Sequence, residues 1–408
     1  MDNKKICVVG GGAAGMMAAG TASLYGADVT IFENTDRLGK KLAITGKGRC
    51  NVTNNCTTVE FLENVTKNPR FLYSALNAFD TESTISFFEN LGVPLKTERA
   101  KRVFPESDLA KDIVDAMRKY AANCRVIYSK VTKITRVGDA FSVRAANAEY
   151  TFDAVILATG GKSYPLTGSD GSGYRLATGL GHRITELIPS LIPIESPSSF
   201  CTDMQGLSLK NVGISIKDVN GRTVYTDFGE MMFTHFGVTG PMILSASAHL
   251  RSYDISTLTL SIDLKPALDE KTLDKRLLSD FAERSNKDLV NAMGALLPSK
   301  MIEPFIRYTG IDPRIKINSV TKEQRKKILC GLKAFSIPLS KFRPIEEAII
   351  TSGGVDTRDI SPKDMQSKLT PGLYFAGEMI DVDAYTGGFN LQIAFSTGYL
   401  AGKSAAEQ

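Results

Sequence analysis

Residues 4–33, KKICVVGGGAAGMMAAGTASLYGADVTIFE, decide the fold. An apolar run ends at Val9, glycines follow, the stretch Ala13 to Tyr25 suits a helix, and Val29-Thr30-Ile31-Phe32-Glu33 reads as a second strand. Strand, turn, helix and strand make a βαβ unit. Within the turn, Gly10, Gly12 and Gly15 form GxGxxG. Gly10 permits the tight bend, Gly12 lets backbone approach a pyrophosphate, and Gly15 lets helix and strand pack closely. The helix N-terminus offers N–H groups and a positive dipole end to phosphates. Glu33, at the end of the next strand, places a carboxylate where both hydroxyls of an adenosine ribose can donate to it. Glycine clusters at strand–helix turns are often only structural. With strand, helix and acid in register, this one reads as a dinucleotide site.

The rest of the chain bounds the answer. At 408 residues it exceeds what one core serves, so two or three packed units are expected. Hydrophobic residues make up 43% and charged residues 23%, the balance of an ordinary folded protein. The net charge of +5 is spread without a dense block, which makes nucleic acid a poor partner and a small-molecule substrate the better expectation. Six cysteines without a CxxC, and histidines only at 182, 235 and 249, argue against a metal site or disulfide scaffold. The apolar run at 6–9 is too short for a secretory segment, so we expect no signal peptide, no membrane span and a cytoplasmic location.

Apolar spacing suggests helices over Thr84–Leu91 and Leu109–Tyr120, the second capped by Asp108. From Arg125 to Ala158 short β-like runs suggest a hairpin meander that returns to a buried strand. Prolines at 189, 193 and 197 then mark a change of texture. Alternating apolar residues make 191–265 β-rich, and helical spacing covers 266–339. Beyond it, Glu347–Val355 and Leu373–Ala376 read as strands and Asn390–Ala401 as a terminal helix. The expected organisation is therefore an α/β dinucleotide domain from 1–190 and 340–408, interrupted by an insertion at 191–339.

GxGxxG does not separate FAD from NAD. Only one fingerprint occurs, yet further glycine-rich strand ends stand at Ala158–Gly161 and Phe375–Gly377. Several strand ends converging on one ligand suit a cofactor as long as FAD. The run from Arg37 to Asn54, RLGKKLAITGKGRCNVTN, has glycines and basic side chains to wrap phosphates and a flavin ring, although a solvated basic loop looks the same. Gly377-Glu378 ends a strand, where a carboxylate can bind ribityl hydroxyls. The helix beginning near Asn390, behind Gly387-Gly388, can aim its positive end at the flavin N1 and C2 edge.

The stretches GGGAAGMMAA (10–19), LGKKLAITGKGRCNVTN (38–54), FGEMMFTHFGVTGP (228–241), EAIITSGGV (347–355) and LYFAGEMIDVDAYTGGFNLQIAFSTGYLAG (373–402) resemble the BaiN-like, aminoacetone-oxidase-like family of FAD-dependent, NAD(P)-linked oxidoreductases. The resemblance implies a discontinuous Rossmann FAD domain of the glutathione-reductase type with a β-rich and helical insertion. It implies FAD contacts at Gly12, Ala14, Gly15, Glu33, Lys41, Thr45, Gly46, Gly48, Arg49, Asn51, Val131, Thr159, Gly160, Gly161, Glu378, Gly388, Asn390 and Leu391. Gly10 and Gly377 join them from the turn chemistry above.

Family resemblance leaves two reactions open, reduction of a carbon–carbon double bond conjugated to a ketone and oxidation of small amines. The segment Gly168–Tyr174 is similar to glycine-rich turns of fumarate-reductase-type flavoproteins and favours the reductase. NAD(P)H, if it is the reductant, has no second fingerprint to bind. An FAD-binding protein whose flavin is structural, or a partner-binding module using the insertion as its contact surface, would carry the same fingerprint. Candidate acids and donors are Tyr164, His235, Tyr385 and Arg102, with His235 expected to be a packed structural histidine between Phe233 and Phe236. Cys50 and Cys56 lack redox-pair spacing, so Cys50 is expected to be a buried thiol.

Overall fold

A computed structural model describes residues 3–408. The chain divides into two compact units, one running to Ser190 and resuming at Ile345–Gln408, the other formed by Leu191–Pro344.

The first unit is built on a five-stranded parallel sheet in the order Leu373–Phe375, Ala154–Leu157, Lys5–Val9, Asp28–Glu33, Arg125–Tyr128. From Ile6 to Val9 and from Ala154 to Leu157 every residue is buried, as expected of parallel strands covered on both faces. Helix Ala13–Leu24 connects the first strand to its neighbour, and the terminal helix Phe389–Glu407 packs along it. Small residues make this approach close: a Cβ at Gly398 would stand 2.5 Å from the Ala14 carbonyl oxygen. Val131–Val137, Ala140–Ala145 and Ala148–Phe152 form a separate three-stranded antiparallel meander. The strand before it, Arg125–Tyr128, belongs to the parallel sheet instead, where Tyr128 pairs with Glu33.

The helix expected over Thr84–Leu91 is Thr81–Asn90, capped by Asp80, whose carboxylate accepts from the Ser83 N–H at 2.8 Å. Asp108 does not cap the following helix, Ala110–Tyr120. Its carboxylate is drawn away by two cations, Arg49 at 2.6 Å and Lys96 at 2.9 Å, and the Leu109 N–H donates to Ser107 Oγ instead. The strand expected across 347–355 shortens to Ile350–Ser352, paired antiparallel with Ile188–Ser190.

The second unit holds a six-stranded antiparallel sheet ordered Ile194–Glu195, Gly237–Thr239, Thr223–Thr234, Ser208–Lys217, Thr259–Asp263, Phe335–Pro338. Its own core joins sheet residues such as Ile216, Phe233 and Leu260 to Leu273, Leu277, Phe305 and Leu332 of the helices Glu270–Glu283, Ser299–Thr309 and Lys322–Lys333. Among the described residues, no helix is long and apolar enough to cross a membrane.

Candidate flavin site

The glycine turn explains its own residues. Gly10 has φ +105°, and a Cβ there would stand 2.5 Å from the Ala158 carbonyl oxygen of the adjacent strand. At Gly15 a Cβ would fall inside the van der Waals envelope of the Gly10 carbonyl oxygen. Neither position accepts a side chain without backbone movement. Gly12, which caps helix Ala13–Leu24, is different: a Cβ there meets nothing within 4 Å. The first-turn N–H groups of that helix have no intrahelical acceptor.

Glu33 is buried at the end of its strand. Its Oε2 accepts from the Gly11 N–H at 2.8 Å and its Oε1 from the Thr35 N–H at 2.8 Å, so the strand end, glycine turn and carboxylate form one rigid piece. Val131 is buried at the start of the strand that follows Tyr128, the cross-strand partner of Glu33. The Gly168–Tyr174 segment also lies at this end, since the Asn34 amide donates to the Gly168 carbonyl and a Cβ at Gly168 would meet Asn34 and Glu33.

The other strand ends meet around the same turn. A Cβ on Gly377 would stand 2.7 Å from the Ala14 Cβ, and the Gly377 N–H donates to Thr397 Oγ1. Glu378 accepts from Lys41 Nζ at 2.6 Å, Ser163 Oγ at 2.9 Å and the Thr351 N–H at 2.9 Å. Lys41 Nζ also donates to Ser163 Oγ at 2.7 Å. Gly161 lies against this group, because a Cβ there would meet Glu378 Oε1 at 2.8 Å. Thr159 directs its hydroxyl at Met379 Sδ, and Gly160 has φ +74° beside Ser169.

The loop from Thr45 to Asn51 is tightly wound, with Gly46, Lys47, Gly48 and Cys50 all at positive φ and the Cys50 N–H donating to the Thr45 carbonyl. A Cβ at Gly48 meets open space. The Arg49 guanidinium is held by Glu98 at 2.5 Å and Asp108 at 2.6 Å and lies 4.2 Å from the centre of the Phe104 ring. This side chain is committed to the protein, so any cofactor contact at Arg49 falls to its backbone or to what the pair leaves exposed. Cys50 is fully buried and its thiol is pushed up to about 12 by that burial, against an opposing hydrogen bond with Thr45. Iodoacetamide at pH 8 is therefore expected to label exposed Cys330 and leave Cys50 unmodified in the native protein, as read by peptide mass spectrometry. Equal labelling of both would contradict the burial.

The carboxy-terminal turn packs on the same loop. The Asn54 amide donates to the carbonyls of Ala100 at 3.0 Å and Gly387 at 3.1 Å, and a Cβ at Gly388 would overlap the Thr53 backbone. Asn390 spends its side chain on the chain itself, accepting from the Ala384 N–H and donating to the carbonyls of Ala384 and Tyr385. It shapes the 384–385 loop, while Leu391 packs against the core.

The candidate donors separate. Tyr385 is half-buried beside the Gly387–Gly388 turn, its backbone pinned to Asn64 and Asn390. Arg102 pairs across strands with Asn54, the residue that holds Gly387, and its Nε donates to the Arg99 carbonyl. Tyr164 stands in a left-handed turn, 36% exposed, and binds Glu346 through its backbone N–H. His235 is not a packed core residue. It occupies the exposed turn of the Thr223–Thr234 and Gly237–Thr239 hairpin, one residue past the strand end, so the face that buries Phe233 is no longer continued and the histidine lies in the open turn beside Phe236. Ser163 and Thr351 escaped sequence reading. Ser163 follows the Gly160–Gly161 pair, and that adjacency was the available signal.

An FAD suits this cradle on three grounds. Open space lies over Gly12 and Gly48, a buried acid stands at the strand end beside the glycine turn, and Asn51 Oδ1, Ser169 Oγ and Tyr174 OH are buried without a partner among the described residues. Buried polar atoms of this kind can be satisfied by the hydroxyls and ring atoms of a bound dinucleotide.

The chain is 29% identical, over 99% of both chains, to a 3-dehydro-bile acid Δ4,6-reductase of Clostridium scindens. It is 28% identical, over 98% of both, to a ribosomal RNA dihydrouridine synthase of Haemophilus influenzae. Among solved structures it resembles the 3-ketosteroid-Δ4-(5α)-dehydrogenase of Rhodococcus jostii at 14% identity and TM-score 0.53, covering 100% of this chain and 98% of that one. That likeness is one of fold. Residues 4–404 match the HI0933-like protein Rossmann domain, and the chain belongs to this family of FAD-dependent oxidoreductases.

Proposed function

We propose that the chain reduces a carbon–carbon double bond conjugated to a carbonyl. The supporting observation is the chemistry common to its relatives' names. A Δ4,6-reductase of a 3-dehydro bile acid saturates an enone, and making dihydrouridine saturates a uracil ring bond conjugated to a carbonyl. One reaction serves both: hydride adds to the β-carbon, charge develops on the carbonyl oxygen, and a proton reaches the α-carbon. Bound FAD, once reduced, supplies the hydride at N5. NAD(P)H is the proposed source of the electrons, docking without a Rossmann domain of its own.

The residues of the chain hold and orient. Glu33 fixes the ribose end, the Lys41–Glu378–Ser163 group presents its carboxylate toward ribityl hydroxyls, and the Gly387–Gly388 turn sets the start of the terminal helix at the ring. Tyr385, with its backbone held on both sides, is the proposed proton donor of the first unit.

A small enone is the proposed substrate. A uracil ring in RNA is a second reading, favoured by the dihydrouridine synthase relatives and by charge: the excess of five basic residues falls entirely within Leu191–Pro344. The test is anaerobic single turnover. Photoreduced protein mixed with 4-androstene-3,17-dione or with unmodified ribosomal RNA is expected to regain its flavin band near ~450 nm while the product gains two hydrogens. Bleaching of the oxidised protein by aminoacetone, with both enones inert, would overturn the reading in favour of an amine oxidase.

A further inference from the structure

Two cationic segments of the first unit meet over Phe104. The Arg49 guanidinium lies 4.2 Å from the centre of that ring and the Arg102 guanidinium 5.9 Å from it, while a Cβ at Gly46 would touch the ring edge at 3.8 Å. Lys47 follows Gly46, and Arg99 and Lys101 lie on the turn that joins the strands Leu95–Thr97 and Arg102–Pro105. The acids here account for only part of this charge. Glu98 and Asp108 hold Arg49, Asp108 also holds Lys96, and Glu60 holds Lys101. Lys47 and Arg99 are exposed and have no side-chain partner among the described residues, and Arg102 donates its Nε to the Arg99 carbonyl. Even with exposed Glu106 counted, three cations face one acid.

The turn is also held in an unusual shape. Ala100 and Lys101, both exposed, stand at φ +56° and +58°, two successive residues other than glycine in the left-handed region. Strain kept at exposed residues marks a backbone shaped for a task other than packing. What fixes it is Asn54, whose one amide nitrogen donates to the carbonyls of Ala100 and Gly387, together with the Asn55 N–H, which donates to the Lys101 carbonyl at 2.7 Å. The cationic turn and the Gly387–Gly388 turn are thus fastened to each other through a single side chain.

We propose that Arg99 and Arg102, with Lys47 beside them, bind the phosphates of the nicotinamide dinucleotide that reduces the flavin. This rests on the reading above, in which NAD(P)H supplies the electrons and the Gly387–Gly388 turn meets the flavin ring. A reductant without a Rossmann domain of its own has no glycine turn and helix N-terminus for its phosphates, so side-chain cations take that part. Guanidinium forks match phosphate oxygens in pairs. Fastened to Gly387, the turn can grip the phosphates while the nicotinamide reaches the ring. The same chemistry admits two groups, the pyrophosphate common to NADH and NADPH and the 2′-phosphate of NADPH alone. Sequence reading singled out Arg102 alone of the three, because which cations lack a counter-ion is settled only when Glu60, Glu98 and Asp108 have found theirs.

Calorimetric titration of the FAD-loaded protein with NADP+, NAD+ and 2′,5′-ADP measures binding without turnover. Arg99→Gln and Arg102→Gln are each expected to weaken NADP+ by about tenfold, and NaCl at about 0.5 M should weaken wild-type binding in the same direction. The visible flavin spectrum checks that each variant is folded. Loss confined to NADP+ and 2′,5′-ADP assigns the cations to the 2′-phosphate, whereas equal loss for NADP+ and NAD+ assigns them to the pyrophosphate. Unchanged affinity for all three probes in both variants overturns the inference, as does a wild type that binds none of them. The reductase reading survives either result, because photoreduced protein meets an enone without any nucleotide. Should Arg102→Gln not hold its flavin, Arg102→Lys keeps the charge, loses the fork, and carries the expectation at about threefold.

Discussion

Gly15→Ala is expected to yield protein without bound flavin and with a sharply lowered unfolding midpoint, because the added methyl has nowhere to go. It would overlap the Gly10 carbonyl oxygen, which belongs to the backbone and cannot rotate away as a side-chain tip would. The helix must lift from the sheet, and overpacking at a rigid site costs about 1–3 kcal/mol or more. Gly12→Ala is the matched control. Its methyl enters open space, so the apoprotein should unfold like wild type, yet that space is where a pyrophosphate approaches the helix N-terminus. A loss of about 2 kcal/mol there would weaken FAD binding roughly 30-fold. Chemical denaturation of the two apoproteins and flavin-fluorescence titration separate the effects. Normal FAD affinity in both variants would remove the glycine turn from the site.

Breaking the Lys41–Glu378 contact should produce the second large effect. Both side chains are about four-fifths buried, and the carboxylate accepts from Lys41, Ser163 and the Thr351 N–H together. Lys41→Met leaves that carboxylate with two neutral donors in a partly dry setting, and Glu378→Gln leaves the ammonium without its counter-ion. Removal of one partner from such a pair costs about 2–3 kcal/mol, somewhat less than for a fully buried one. The double variant should lose less than the sum of the single ones, since neither charge is then stranded. A double-mutant cycle on the apoprotein measures the coupling, and additivity would show that the two side chains act independently. FAD affinity should fall in all three, because the same carboxylate presents toward the ribityl chain in the proposed site.

Much of the fold was legible because its signals are local. The glycine turn, the helix behind it and Glu33 lie within thirty residues, and each expresses a rule about its own backbone: a left-handed bend at Gly10, close packing at Gly15, a strand-end acid. The change of texture after Ser190 was legible for the same reason, since periodicity shifts within a few residues. Asp108 shows where local rules stop. It occupies a capping position by sequence, yet two cations brought from residues 49 and 96 outcompete the helix N-terminus. His235 shows it too, for its flanking phenylalanines suggested a core, yet the strand ends at Thr234 and only Phe233 is buried by it.

The amino-acid order by itself determined that this chain builds a βαβ dinucleotide cradle closed by an acid. The tertiary structure alone decided which side chains share a site: Lys41 with Glu378 across 337 residues, and Ser163 and Thr351 with that same carboxylate. The physical reason is that a turn or cap is settled by the dihedral preferences of neighbouring residues. A contact between distant residues exists only after hydrophobic burial has overcome the entropy of closing the chain between them, and nothing in either residue's own neighbourhood announces its partner.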